Sequence, residues 1–261
     1  MHAIDMYKCS SCQSLTTFPM PSEELLAQCY SALLFGYPSD VSRAKRNSRQ
    51  GVWYDDILDI FDVRVIDGEI IADVGAGEGL LVEALSHRSK LGVQIDCYDY
   101  HSVPPRVRSL QESSRGLVNW IQSDLSLPDW APQNQYVKVF CISVIEHVRE
   151  PRKLVADLLR MCRPGGNVYV IGPCTDSLFH RLLKSRWPYI IPGEHLTIPS
   201  LEGIALLLKS LEYTNMELRK INVSYSVKYV LDALLKMNTP VFLDVILRLP
   251  LGVFAATITK R

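Results

Sequence analysis

The residues best spaced for chemistry are the seven of DVGAGEG, Asp73 to Gly79, lying between an apolar run and an amphipathic one. Gly75, Gly77 and Gly79 let the backbone turn tightly and approach a ligand closely. The helix that follows offers unpaired N–H groups and the positive end of its dipole. Dinucleotide enzymes use a similar turn. Asp73, directly before the glycines, suits a ligand bearing an ammonium group and suits a pyrophosphate poorly. Farther on come Asp96 and Asp99, at the end of VQIDCYD. A carboxylate there can accept both hydroxyls of a ribose. Side chains alternate along a strand, so residues three apart face opposite ways and only one of the two acids enters a cleft. Asp99, at the strand's exit, is the better placed. Asp124, followed by Leu125 in QSDLSLP, can accept from an adenine amino group. His147, after Ser143 and Glu146, and His195 in PGEHL are neutral near pH 7 and able to take a proton.

These residues need a scaffold that brings the ends of several strands to one edge. From Val52 onward short apolar runs alternate with amphipathic ones, the rhythm of a parallel α/β sheet. Strands are predicted at 69–74, 93–99, 117–122, 137–144, 167–173, 214–223 and 252–260. Helices are predicted near 52–62, from the glycine turn to about Arg88, from Pro151 onward, and from a Ser200 cap to about Leu211. RPGG at 163–166 is expected to end the Pro151 helix through a left-handed glycine. The stretch at 174–198 is long and aromatic, the kind of insertion that covers an active site. The apolar run at 241–258 carries Asp244, Arg248 and Pro250. It therefore reads as a buried helix, a turn and the final strand, and no membrane span is expected. Residues 1–50 form a cysteine-containing segment, with a helical stretch at 22–34 and a polar, basic linker at 39–50, ahead of a main domain at 51–261.

Composition narrows the class. The 28 basic and 28 acidic side chains cancel, which leaves no electrostatic reason to expect nucleic acid or an anionic membrane as partner. Seven scattered cysteines in 261 residues do not form a secreted disulfide framework, so reduced thiols in a cytoplasm are expected. CSSC at 9–12 is half of a zinc knuckle. A full ribbon needs four ligands, and only His2 and Cys29 lie nearby, at unconvincing spacing. An unmetallated lid is the expectation, with no metal ligands assigned.

Taken in order, Asp73–Gly79, the acid after the second strand, QSDLSLP, ISVIEHVREPRKLV and LLRMCRPGGNVYV resemble the motifs of the Rossmann-like methyltransferases. The likeness is greatest to the small-molecule group that includes quinone-biosynthesis O-methyltransferases and sugar-modifying enzymes, and GEHLTIPSLEGIALLLKSL extends it over roughly residues 50–260. The resemblance implies an α/β Rossmann-like fold of seven mostly parallel strands, the last antiparallel, with a small N-terminal appendage. It implies S-adenosylmethionine as methyl donor, lying across the carboxyl ends of the first four strands against Asp73, Gly75, Ala76, Gly77, Gly79, Asp99, Asp124, Leu125 and Ser143. It places a small-molecule or glycan-precursor acceptor among residues 14–54, the loop after the fifth strand and His195, with His147 or His195 as base. Some quinone enzymes of the group carry a Glu-x-x-Glu-His pattern associated with a divalent metal. Here Ser143 stands at the first Glu and leaves two ligands. A homodimer is compatible with this reading. A non-catalytic donor-binding interaction protein and a nicotinamide oxidoreductase are the alternatives.

Overall fold

The structure is a computed structural model that describes residues 5–26, 28, 52–89, 92–114, 117–187, 189–213, 215–228, 231 and 245–261. The expected linker at 39–50 and most of the stretch at 22–34 lie outside these. The chain opens with β1 (Asp5–Lys8) and β2 (Leu15–Phe18), followed by a helical turn at 23–26. After helix α1 (52–60) come β3 (Ile70–Val74), α2 (Leu80–Arg88), β4 (Gln94–Asp99), α3 (Pro105–Ser113) and β5 (Val118–Gln122). Then follow β6 (Tyr136–Ile142), α4 (Pro151–Met161), β7 (Cys162–Pro173), α5 (Leu178–Leu183) and β8 (Thr197–Ile198). The chain closes with α6 (Leu201–Ser210), β9 (Met216–Ser226) and β10 (Ile246–Thr259).

Seven strands form one sheet in the order β5-β4-β3-β6-β7-β10-β9. Pairing is parallel from β5 to β7, and β10 runs antiparallel to both neighbours. This is the sheet that the resemblance implies, seven mostly parallel strands with the last antiparallel. Alternation along β3 explains its two cores. Ile71 faces a layer containing Ile57, Leu58, Leu81, Leu85 and Val107, from α1, α2 and α3. Ala72 and Val74 face Leu154, Val155, Leu158, Ile204 and Leu208, from α4 and α6. Each large aliphatic side chain buried this way contributes about 1.5–3 kcal/mol. α6 starts at Ser200 as expected, its hydroxyl accepting from Gly203 N at 2.8 Å.

Three local expectations are corrected. α4 ends at Met161, and Cys162 is already extended. RPGG lies within β7, where Gly165 has φ +78° and its N–H donates to Lys260 O at 2.8 Å. The pairing register with β6 shifts at this point, from Tyr136/Cys162 to Lys138/Asn167. Two glycines thus absorb a strand irregularity instead of capping a helix. The fourth strand stops at Ile142, because Ser143 turns to φ +55°. At the other end of the chain, residues 241–244 lie outside the described set, but from Ile246 the backbone is β10. Ile246 and Leu247 are exposed, so no buried helix reaches them. Their partners are Ser226 and Tyr225 of β9, and the expected turn near Pro250 is a register shift between Leu249 and Val253.

A second sheet was not legible in the sequence. β1 and β2 form an antiparallel hairpin, and β2 pairs with β8. Leu15, Trp187 and Ile198 bury together beneath it. Thr17 N–H donates to Leu196 O and Thr17 Oγ1 to His195 O, both at 2.8 Å. The cysteine-bearing hairpin is therefore tied to the loop that carries His195.

Candidate active site

The turn after β3 is held by the neighbouring strand. Gly75 N and Ala76 N both donate to Tyr98 O, at 2.8 and 3.1 Å, and Gly77 N donates to Asp99 Oδ2 at 2.8 Å. Gly75, Gly77 and Gly79 all have positive φ. At Gly75 a Cβ would stand 2.2 Å from a methyl of Val144, so close packing as well as backbone freedom demands glycine. Gly79 is the N-cap of α2 and makes no side-chain cap.

Asp96 and Asp99 do face opposite ways, and neither is a solvated loop acid. Asp96 accepts from Tyr136 Oη at 2.9 Å, Asn119 Nδ2 at 2.7 Å, Gln94 Nε2 at 3.2 Å and Gln135 Nε2 at 3.3 Å. That network occupies it as a strut between β4, β5 and β6. Asp99 instead meets the glycine turn, and its Oδ1 accepts from His101 N at 2.9 Å. Oδ1 also lies 3.0 Å from His101 Nδ1, so Oδ2 is the oxygen that keeps a second lone pair for a ligand hydroxyl. Asp124 begins the next loop and caps it, its Oδ1 accepting from Ser126 N at 2.9 Å and Ser126 Oγ at 2.6 Å. Leu125 packs against the α4 side of the core. Ser143 is exposed on the turn after β6, where its N–H donates to Ile171 O.

Between these parts lie two acids that the sequence marks but whose burial it does not reveal. Asp73 is buried, its Oδ2 has no hydrogen-bond partner, and burial, with the charge of Asp99 added, pushes its carboxyl up to about 8. Glu146 is alike: buried, with Oε2 unpartnered and its carboxyl raised to about 8 mainly by burial. The Tyr54 phenol of α1 is pushed up by burial and by both of these charges, which places all three in one environment. Tyr54 falls at the end of the 14–54 span expected to border the acceptor, but the sequence does not single it out, because α1 precedes β3 and nothing local marks which sheet edge it covers.

His147 and His195 come together, ring centroids 4.8 Å apart and edge to face. His147 Nδ1 lies 3.0 Å from Glu194 O, and His195 Nδ1 lies 2.7 Å from Tyr189 O. A carbonyl can only accept, so each Nδ1 carries the hydrogen and each Nε2 the lone pair. His147 Nε2 lies 3.9 Å from Glu146 Oε1. Burial and then the His195 ring push His147 down to about 3, and burial lowers His195 as well. Both rings are neutral at physiological pH.

A family model described as a methyltransferase domain matches residues 46–218. The chain belongs to that family. Among curated relatives, the methyltransferase is 29% identical over 130 residues to a ubiquinone biosynthesis O-methyltransferase of Pectobacterium carotovorum, covering 49% of this chain and 51% of the relative. It is 30% identical over 132 residues to the enzyme of the same name from Shewanella halifaxensis, covering 50% and 52%. It thus spans about half the length of the curated relatives it matches. Among solved structures it is similar to the 1,6-didemethyltoxoflavin-N1-methyltransferase of Burkholderia thailandensis, determined with 1,6-didemethyltoxoflavin and S-adenosylhomocysteine bound. The TM-score is 0.59 at 14% identity, and 97% of each chain is covered. A SAM-dependent methyltransferase from Aquifex aeolicus gives a TM-score of 0.54 at 16% identity, covering 85% of this chain and 98% of that one. At such identities the likeness establishes the fold. No helix among the described residues is long and apolar enough to cross a membrane.

Proposed function

We propose that this methyltransferase moves a methyl group from S-adenosylmethionine to a nucleophile on a small molecule or glycan precursor. The observation that carries this reading is Asp73, a buried carboxylate with an unpartnered oxygen directly in front of a turn of positive-φ glycines. An acid so placed lacks a cation, and the donor's ammonium group is the cation that fits. In this reading Gly75, Ala76, Gly77 and Gly79 leave room for the donor's amino-acid end. Asp99 accepts the ribose hydroxyls, Asp124 and Leu125 border the adenine, and Ser143 lines the floor.

When bound, the donor supplies a methyl group already activated by its sulfonium. The chain's own task is alignment, exclusion of water and removal of the acceptor's proton where the acceptor is a hydroxyl. His147 and His195, neutral and fixed through Nδ1, serve that last step. The O-methyltransferase relatives favour a hydroxyl acceptor. The test is native mass spectrometry of ligands released from the purified chain, with thermal-shift titration. S-adenosylhomocysteine should be released or should raise the melting temperature. A response to NAD alone would overturn the reading.

A further inference from the structure

Glu146, His147 and His195 each offer one ligand atom, and those atoms all lie within 4.8 Å of one another. The surrounding structure is organised as a ligand set. Each ring's Nδ1 is engaged by a backbone carbonyl of the same loop, Glu194 O or Tyr189 O. This fixes the neutral tautomer that presents Nε2 to a ligand. The Glu146 side chain is buried, with Oε2 unpartnered, a costly arrangement for a carboxylate with no cation. The two loops are joined through the backbone, with Leu196 N and Thr197 N donating to Glu146 O at 2.7 and 3.2 Å. Thr17 anchors the His195 carbonyl from the hairpin.

We propose that Glu146, His147 and His195 together hold one divalent first-row transition ion. Where the Glu-x-x-Glu-His pattern has its first carboxylate, this chain has the exposed Ser143, and His195 supplies the third ligand from another loop. Two imidazole nitrogens and one carboxylate oxygen suit Zn²⁺, Co²⁺, Mn²⁺ or Fe²⁺ better than the oxygen-seeking Mg²⁺ and Ca²⁺. Ligand atoms around a tetrahedral ion at about 2.1 Å stand roughly 3.4 Å apart, so the site closes with side-chain movements of about 1 Å. Three protein ligands leave a coordination position for the acceptor's oxygen. An ion bound there would occupy both Nε2 lone pairs, so in the metal-loaded protein its Lewis acidity, in place of an imidazole base, would ease loss of the hydroxyl proton. That role rests on the methyl-transfer reading; the binding of the ion does not.

The experiment is a Co²⁺ titration of the purified full chain after chelation and dialysis, followed by calorimetry and visible absorption. One Co²⁺ per chain is expected, with ligand-field bands and no thiolate charge-transfer band. His195→Ala and Glu146→Gln should each weaken binding at least tenfold, while a Cys9→Ser/Cys12→Ser double variant should match the wild type. Circular dichroism and S-adenosylhomocysteine titration follow the fold and the donor site separately. If the site variants misfold, the imidazole resonances of His147 and His195 in the wild type decide. Large paramagnetic shifts on adding Co²⁺ support the site, and unshifted resonances overturn it. Absence of stoichiometric binding, or binding lost with the cysteines and kept without His195, also overturns it. Binding of Co²⁺ without any binding of S-adenosylhomocysteine would sink the methyl-transfer reading and leave the ion site standing.

Discussion

Replacing Asp73 by Asn sets stability against function. Burial and Asp99 raise the Asp73 carboxyl from 3.8 to about 8 in the folded chain. A folded-state pKa above the unfolded value gives a contribution that is fully present below about pH 4. It is lost progressively as pH rises to about 8. At 1.36 kcal/mol per pH unit, the loss reaches roughly 4 kcal/mol at pH 7 and roughly 5–6 kcal/mol above pH 8. Asp73 is only 3% exposed, so solvent screening does little to reduce it. Asn removes the charge but puts an N–H₂ where the unpartnered Oδ2 stood, at a cost of about 1–3 kcal/mol. A net gain of about 2–5 kcal/mol is therefore expected for the ligand-free variant at pH 9, and a net loss of about 1–3 kcal/mol at pH 4, where no charge offsets the buried amide. Donor binding should move the opposite way, since an amide cannot neutralise an ammonium group. Denaturant unfolding at pH 4, 7 and 9 measures the first effect, and calorimetry with S-adenosylhomocysteine the second. An Asn variant that is no more stable at pH 9, or that keeps wild-type affinity, would refute the argument.

Asp99→Ala should weaken S-adenosylhomocysteine binding at least tenfold, about 2–4 kcal/mol, by removing charge-assisted bonds to the glycine turn and the ribose. Asp96→Ala should act differently, lowering the melting temperature by leaving four donors without their acceptor; if Asp96→Ala alone damages binding, the two roles are reversed. Gly75→Ala forces a Cβ into Val144 at φ +76°, so a loss of at least about 2 kcal/mol in stability is expected together with weaker donor binding. His147→Ala and His195→Ala should lower turnover with a hydroxyl acceptor by about 10²–10⁴-fold, with donor affinity nearly unchanged. Should both retain more than about a third of wild-type turnover, the acceptor is a carbon or amine nucleophile that needs neither ring.

The sequence by itself determined whatever depends on spacing along the chain. Period-two alternation was enough to send Asp96 and Asp99 to opposite faces. The glycine turn, the Pro151 and Ser200 helix starts, and the seven strands were all legible because caps, turns and hydrophobic periods act over a few residues. Tertiary structure decided what depends on which loops meet. His195 reaches His147 because β8 and the hairpin pin the 189–197 loop against the turn after β6. Nothing in PGEHL encodes that distance, and a count of ligands near Ser143 therefore stopped at two. RPGG became part of β7 because backbone pairing with β6 and Lys260 outweighed the local preference of glycine for a helix cap. The raised carboxyls of Asp73 and Glu146 are likewise tertiary in origin. An acid's pKa responds to the water and charge around it, and those are set by α1, the neighbouring strands and the loop over the sheet edge.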